Sequence, residues 1–374
     1  MATLRLLDEP GGPTFVDRLR EIWDAGDAAF PIDRRLPPTA QAELARRVRV
    51  GDPVEPGDAL VVATSGTSGE PKGVVLTHDA VAASAAATSA RLGVTDDDHW
   101  LACLPLSHVG GLSVVTRAIV SGTRLTVHDG FDAVAVEAAA RDGVTLVSLV
   151  SAALARIDPT PFRAIVLGGS RPPANRPANS VTTYGMTETG SGVVYDGRPL
   201  DGVDVRIDDA GAILLRGPML LRCYRDGTDP KDSDGWYPTG DVGRWLDDGR
   251  LSVEGRADDL VITGGENVWP EVVEVALASH VDVADVMVRG VEHPDWGQVV
   301  EAVVVPLNRD RPPTLISLRE HVKERHPAFV APRALVLTDA IPRTSLGKPR
   351  RSADVSTVGD RQAMDATPAP PSIT

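Results

Sequence analysis

Residues 63–78 read Ala-Thr-Ser-Gly-Thr-Ser-Gly-Glu-Pro-Lys-Gly-Val-Val-Leu-Thr-His, with strand-like runs on both sides at 59–63 and 73–77. Thr64, Ser65, Thr67 and Ser68 crowd around Gly66 and Gly69, and Lys72 and Gly73 follow. A polyphosphate must be met at short range by many donors. Hydroxyls and closely approaching backbone N–H groups on a glycine-rich turn supply them, and a lysine adds a point charge. The order Pro-Lys-Gly is neither the Gly-Lys-[Ser/Thr] of a P-loop nor a dinucleotide fingerprint, so the stretch predicts a different kind of phosphate loop. The bland alternative is a flexible Gly/Ser surface loop.

Outward from this stretch the chain alternates. Residues 13–50 read as one or two surface helices (16–25 and 39–47) broken at Pro31, Pro37 and Pro38. Strand-like runs at 59–63, 74–76, 100–104, 124–127, 144–149 and 164–167 are separated by Ala-rich helical patterns at 79–92, 111–120 and 133–141. That order predicts an α/β protein whose large N-terminal domain, residues 1–257, holds parallel sheets covered by helices. Within it, residues 202–253 carry short strands and three Asp-Gly turns and read as a small β-rich subdomain. A boundary near Asp258 opens a smaller α+β domain over 258–355, with helices at 270–279 and 315–325 and strands at 283–288, 299–305 and 334–337. Residues 356–374 lack a repeating apolar face and are expected to be disordered.

Six further stretches carry chemistry. Residues 104–111, Leu-Pro-Leu-Ser-His-Val-Gly-Gly, follow a strand and open a helix that bears Arg117; a histidine at such a junction, here His108, is more often structural than functional. Residues 164–170 end a buried strand in Gly168, Gly169 and Ser170, where a flat ring could approach backbone. Residues 182–190, Thr-Thr-Tyr-Gly-Met-Thr-Glu-Thr-Gly, present Tyr184, Gly185, Thr187 and Glu188 on one loop, and a carboxylate there is a hard oxygen ligand of the kind Mg²⁺ takes. Residues 237–243, Tyr-Pro-Thr-Gly-Asp-Val-Gly, offer Asp241, a side chain able to accept two hydroxyl hydrogen bonds. Gly264 and Gly265 precede a helix that opens with Pro270, a favoured first-turn residue, and residues 342–351 place Lys348 in a basic tail.

Taken in order, these motifs resemble those of the AMP-forming acyl-CoA synthetases and the wider adenylate-forming superfamily, over about residues 59–351. The resemblance implies ATP, Mg²⁺ and CoA as co-substrates and cofactor. It implies a phosphate site at Thr64–Gly69, Lys72 and Thr187, and a metal held by Glu188 with Thr187. Adenine and ribose would meet Gly168, Gly169, Ser170, Tyr184, Gly185, Asp241 and Arg256. A CoA tunnel would form at Gly264 and Gly265, the catalytic set would be Lys348, His108 and Glu188, and a small mobile C-terminal domain would turn about Asp258. The family usually runs longer, so the N-terminal subdomain reads as trimmed. Within the superfamily, the short chain, the His108 motif and the helix with Arg117 are similar to the o-succinylbenzoyl-CoA synthetases of menaquinone biosynthesis. That implies an aromatic dicarboxylate whose second carboxylate is anchored by Arg117, directly or through water, with a surface or helix-pairing arginine as the alternative; His108 would border the acyl pocket and the thiol tunnel. Another aryl- or short-acyl-CoA ligase, or a stand-alone adenylation module that loads a carrier protein, stays open beside it.

Composition narrows the rest. A length of 374 residues with 42% apolar content fits two domains, and a net charge of −14 excludes an extended nucleic-acid or anionic-membrane surface. Cys103 and Cys223 lack metal spacing and read as packing residues in a reducing compartment. There is no signal-peptide pattern and no apolar run long enough to span a bilayer, so the expectation is a cytoplasmic enzyme that meets small molecules; a homo-oligomer is compatible with it.

Overall fold

A computed structural model describes residues 1–64, 71–169, 172–173, 175–343, 349–355 and 362–363. The chain divides into two compact units. One comprises residues 1–208, 214–239 and 245–252, the other 209–213, 240–244 and 253–374.

The first unit opens with β1 (Leu4–Leu7), α1 (Pro13–Asp24), β2 (Ala28–Pro31) and α2 (Pro38–Arg47). Next come β3 (Asp58–Thr64), β4 (Lys72–Thr77), α3 (His78–Leu92), β5 (His99–Ala102), α4 (Val109–Ser121), β6 (Arg124–Val127) and α5 (Ala133–Arg141). Then follow β7 (Leu146–Leu149), α6 (Ser151–Leu154), β8 (Ala164–Leu167), β9 (Ser180–Gly185), β10 (Gly192–Tyr195) and β11 (Arg198–Pro199). β12 (Asp204–Ile207), β13 (Ala212–Arg216), β14 (Cys223–Tyr224), β15 (Tyr237–Trp245) and β16 (Leu251–Arg256) complete the strands before the C-terminal part. β12, β13, β15 and β16 form a four-stranded sheet within the stretch read as β-rich.

A seven-stranded sheet runs β11-β10-β9-β8-β7-β5-β6, parallel from β9 to β6, with β10 and β11 added antiparallel. α4 leads from β5 out to β6, and α5 leads back to β7 on the other side of β5, so the winding reverses between β5 and β7. The C-terminal ends of parallel strands at such a reversal form one edge, where α/β proteins bind ligands. The segments after β5, β8 and β9 all leave from that edge. Leu101, Cys103, Val136, Val147, Ile165 and Leu167 make the core between sheet and helices. Cys103 fills it, and burial pushes its thiol up to about 12, as suits a packing residue.

The second sheet, β1-β2-β3-β4-β14, differs from the expected parallel arrangement. β1, β2 and β3 are parallel, but β3 and β4 form an antiparallel hairpin, with Val61 opposite Val75 and Thr64 opposite Lys72. Residues 65–71 are too few for the crossover of a dozen or more residues that a parallel neighbour needs. β2, fully buried, also departs from the reading of 13–50 as surface helices. Four residues ending in proline are too short to show a period.

In the second unit, β17 (Val261–Thr263) and β18 (Glu266–Val268) make a hairpin, and α7 (Pro270–Leu277), β19 (Val283–His293), β20 (Gly297–Pro306), α8 (Leu315–Lys323), β21 (Ala334–Leu337) and β22 (Gln362–Ala363) follow. Val273 and Leu277 of α7 and Leu318 and Val322 of α8 pack on Val288, Val300 and Val304 of the sheet. At about 1.5–3 kcal/mol per large apolar side chain, that face holds the unit together. Among the described residues no helix is long and apolar enough to cross a membrane.

Candidate active site

The hairpin β3–β4 sets the ends of the predicted phosphate loop. Thr64 closes β3, and Lys72 opens β4 opposite it, exposed. Ser65, Gly66, Thr67, Ser68 and Gly69, and likewise Ser170 and Lys348, lie outside the described residues.

Beside this hairpin stands the loop after β9. Gly185 lies opposite Gly192 of β10, and a Cβ on Gly185 would strike the Ser191 carbonyl, so the strand must end in glycine there. The chain then forms a short 3-10 turn, Thr187–Thr189. Buried Thr189 ties this turn down: its hydroxyl accepts from the Met186 N–H at 2.9 Å and donates to the Ser191 carbonyl at 2.6 Å. Glu188 is half-buried, and the Tyr224 hydroxyl donates to its Oε1 at 3.1 Å. The Lys72 ammonium sits 4.8 Å from the centroid of the same tyrosine ring. Burial, then the charge of Glu188, pushes the Tyr224 hydroxyl up to about 12, so it stays a donor. Gly168 and Gly169 leave β8 at the same sheet edge. Gly169 has φ +86°, and the Gly168 N–H donates to the Leu149 carbonyl at 3.1 Å.

His108 caps the start of α4 by its backbone, half-buried. Its Nε2 lies 3.7 Å from Asp33 Oδ2 and 3.5 Å from Arg35 Nη2. Arg35 grips Asp33 through Nε at 2.8 Å and Nη2 at 2.7 Å, which holds that carboxyl below its usual range. Burial lowers the His108 pKa, so the ring is neutral near pH 7. Sequence reasoning missed this pair, because Ile-Asp-Arg-Arg after β2 looks like an ordinary charged loop.

Arg117 is buried in α4, 2% exposed. Its guanidinium lies 4.8 Å from the Trp100 ring, and Nη2 donates to Ser191 Oγ at 3.2 Å, which in turn meets Ser113 Oγ at 3.3 Å. Nε and Nη1 have no hydrogen-bond partner, and among the described residues no carboxylate pairs with the group. A small cavity of about 10 Å³, walled mostly by apolar side chains such as Leu60, Leu76, Leu112 and Met219 with Ser113, Thr116 and Arg117 on one side, adjoins it, room for about one water. Burial lowers the Arg117 pKa, yet a guanidinium stays charged.

In the second unit Arg256 Nη1 donates to Asp241 Oδ1 at 3.3 Å, and Gly240, at φ +73°, leaves the space that the guanidinium occupies. Gly264 and Gly265 are the two-residue loop of the β17–β18 hairpin, both at positive φ as a type I′ turn requires. A Cβ on Gly264 would also lie 2.7 Å from the Trp296 ring. Asp258 is exposed in a 3-10 turn, Ala257–Asp259. On either side of the Lys348 stretch, Arg343 and Pro349 form an antiparallel bridge. Arg343 pairs with Asp285, and Arg351 meets Glu271 and Glu274, each at 3.0 Å. The structure thus joins Lys72 and Glu188 through Tyr224, and Arg117 to the loop beyond Glu188. Asp241 and Arg256 pair separately.

Comparison with known proteins agrees with this geometry. The AMP-binding enzyme profile matches residues 16–225, and the AMP-binding enzyme C-terminal domain profile matches 272–348. A probable 2-succinylbenzoate–CoA ligase of Mycobacterium tuberculosis is 39% identical over 94% of this chain and 97% of its own. Among solved structures, the o-succinylbenzoate CoA synthetase of Bacillus subtilis in complex with its acyl-adenylate intermediate superposes with a TM-score of 0.75. It is 28% identical over 91% of this chain and 82% of that one. The same enzyme with ATP and magnesium ion gives 0.73 at 29% identity over 90% and 80%. Matches that run nearly end to end, through the phosphate-loop hairpin and the Glu188 turn alike, establish that the chain belongs to the AMP-binding enzyme family.

Proposed function

We propose that the protein is an acid–thiol ligase that activates o-succinylbenzoate with ATP and transfers the acyl group to CoA, a step of menaquinone biosynthesis. A carboxylate oxygen attacks the α-phosphorus and the bond to the β-phosphate oxygen breaks, giving acyl-adenylate and pyrophosphate. The CoA thiolate then attacks the acyl carbon, its proton having gone to solvent, and AMP leaves. Such chemistry is mostly positioning and charge neutralisation.

In this reading residues 64–69, Lys72 and Thr187 hold the triphosphate. Tyr184, with Gly168, Gly169, Ser170 and Gly185, flanks adenine, and Arg256 orients Asp241 toward the ribose hydroxyls. The donor set at Glu188 fits magnesium: a half-buried carboxylate offers a hard oxygen, with phosphate oxygens and water left to fill the shell. When bound, the ion neutralises triphosphate charge; Glu188 and Thr187 would hold it. His108 borders the acyl group and the thiol path, Lys348 serves adenylation, and Gly264 and Gly265 line the CoA path. Residues 258–355 act as a mobile domain hinged at Asp258. Asp258→Pro, which fixes φ near −65°, is expected to slow thioester formation from acyl-adenylate much more than adenylation. Single-turnover kinetics of the two half-reactions test this, and equal slowing of both counts against the hinge.

The observation that carries the choice of acid is Arg117, a buried cation with two unpartnered nitrogens beside a water-sized cavity. A dicarboxylate reacts through one carboxylate and needs a partner for the other; Arg117 supplies it directly or through a bridging water. Pyrophosphate release across a panel of carboxylic acids, with and without CoA, tests the reading. The dicarboxylate should lead, and a monoacid turned over faster would overturn it. Arg117→Met, which keeps the volume, should raise KM for o-succinylbenzoate about 10–100-fold more than for benzoate-like monoacids, the loss of one charge-assisted contact. An equal rise for both would make the residue structural.

A further inference from the structure

The two-residue strand β14, Cys223–Tyr224, lies inside the β-rich stretch, and it delivers one side chain to both charged groups of the nucleotide site. β14 pairs antiparallel with β4, Tyr224 opposite Val74 and Cys223 opposite Val75. The Arg225 N–H donates to the Gly73 carbonyl at 2.7 Å and the Arg222 N–H to the Val75 carbonyl at 2.9 Å, which pins the register. Side chains alternate along a strand, so Lys72 shares a face with Val74. It is the diagonal neighbour of Tyr224, within reach of a long side chain. Just before β14, the Leu221 N–H donates to the Glu188 carbonyl at 2.8 Å. The same short segment therefore fixes the Glu188 backbone and, through the Tyr224 hydroxyl, its carboxylate.

The ring is 8% exposed, with the Lys72 ammonium over its face and the Glu188 oxygen at its hydroxyl. Among the described residues no ion pair joins Lys72 to Glu188; the ring stands as a spacer, so each remains available to a ligand.

We propose that Tyr224 is a positioning residue of the nucleotide site, holding the Glu188 carboxylate and the Lys72 ammonium apart at the spacing a metal–triphosphate needs. The proposal rests on the ATP and magnesium reading above. A hydrogen-bond partner behind a metal-binding carboxylate typically changes metal affinity by about 10–100-fold.

The test is ATP binding by calorimetry with no acid present, so that nothing turns over, once with Mg²⁺ and once with EDTA. Tyr224→Phe keeps the ring under Lys72 and removes the hydroxyl. It should lose about 10-fold or more of the Mg²⁺-dependent gain in affinity while binding ATP in EDTA as the wild type does. Tyr224→Leu removes the ring as well and should weaken binding in both conditions. A wild-type Mg²⁺ gain in Tyr224→Phe, or an equal loss with and without the metal, overturns the proposal. Glu188→Gln, measured alongside, separates the two levels. If it abolishes the gain and Tyr224→Phe does not, only the role of Tyr224 falls. If Glu188→Gln keeps the gain, the metal reading falls and takes the proposal with it.

Discussion

Lys348→Ala is expected to lose acyl-adenylate formation by at least about 10²–10³-fold, the usual cost of removing one preorganised charge donor, and to keep thioester formation within a few-fold of wild type. The reason lies in where charge develops. In the first half-reaction a carboxylate oxygen approaches a negatively charged phosphate, and a lysine ammonium that reaches both lowers the barrier. In the second, a thiolate attacks a carbonyl and the same ammonium has no comparable task. Two single-turnover measurements on one variant decide it, one started with acid and Mg-ATP and one with preformed acyl-adenylate and CoA. Equal impairment in both would make Lys348 a structural or general binding residue.

Glu188→Gln is expected to reduce Mg-ATP turnover by at least about 10²-fold. The substitution removes the charge facing the metal but keeps side-chain volume. Its amide oxygen can still accept from the Tyr224 hydroxyl, and the Leu221-to-Glu188 backbone hydrogen bond is untouched. The turn should therefore hold its shape and the melting temperature should stay close to that of the wild type. Pyrophosphate release at saturating Mg-ATP is the measurement, and a rate near wild type would remove Glu188 from the site.

How far the sequence reveals this arrangement depends on the length of the signal. α3, α5 and α8 are legible because each runs for nine or more residues, α3 and α5 as alanine-rich stretches and α8 with an apolar face. β1 and β2 are four residues each and carry no comparable period. Glu188 and Asp241 stand inside ordered motifs of Gly, Thr and Tyr and can be picked out as chemistry. Tyr224 and the Asp33–Arg35 pair cannot, because their importance comes from register and chain return. Asp33 meets His108 across seventy-odd residues of sequence, and Tyr224 meets Glu188 only because β14 pairs with β4. A sequence shows what a residue can do, whereas these roles depend on what happens to stand beside it.

The solitary cation in α4 ties the life of the protein to its chemistry. A buried charge without an opposite partner costs several kcal/mol of desolvation, which Trp100 and Ser191 offset only in part. Replacement by an apolar side chain of similar size would therefore favour the folded state. Any anion that reaches Arg117 in the native chain and ignores the unfolded one adds stability as the logarithm of its concentration over its dissociation constant. Marginal folds are cleared by cellular proteolysis in proportion to how often they open. In the reading proposed above the acid substrate is such an anion, and the chain would then survive longest where there is acid to activate.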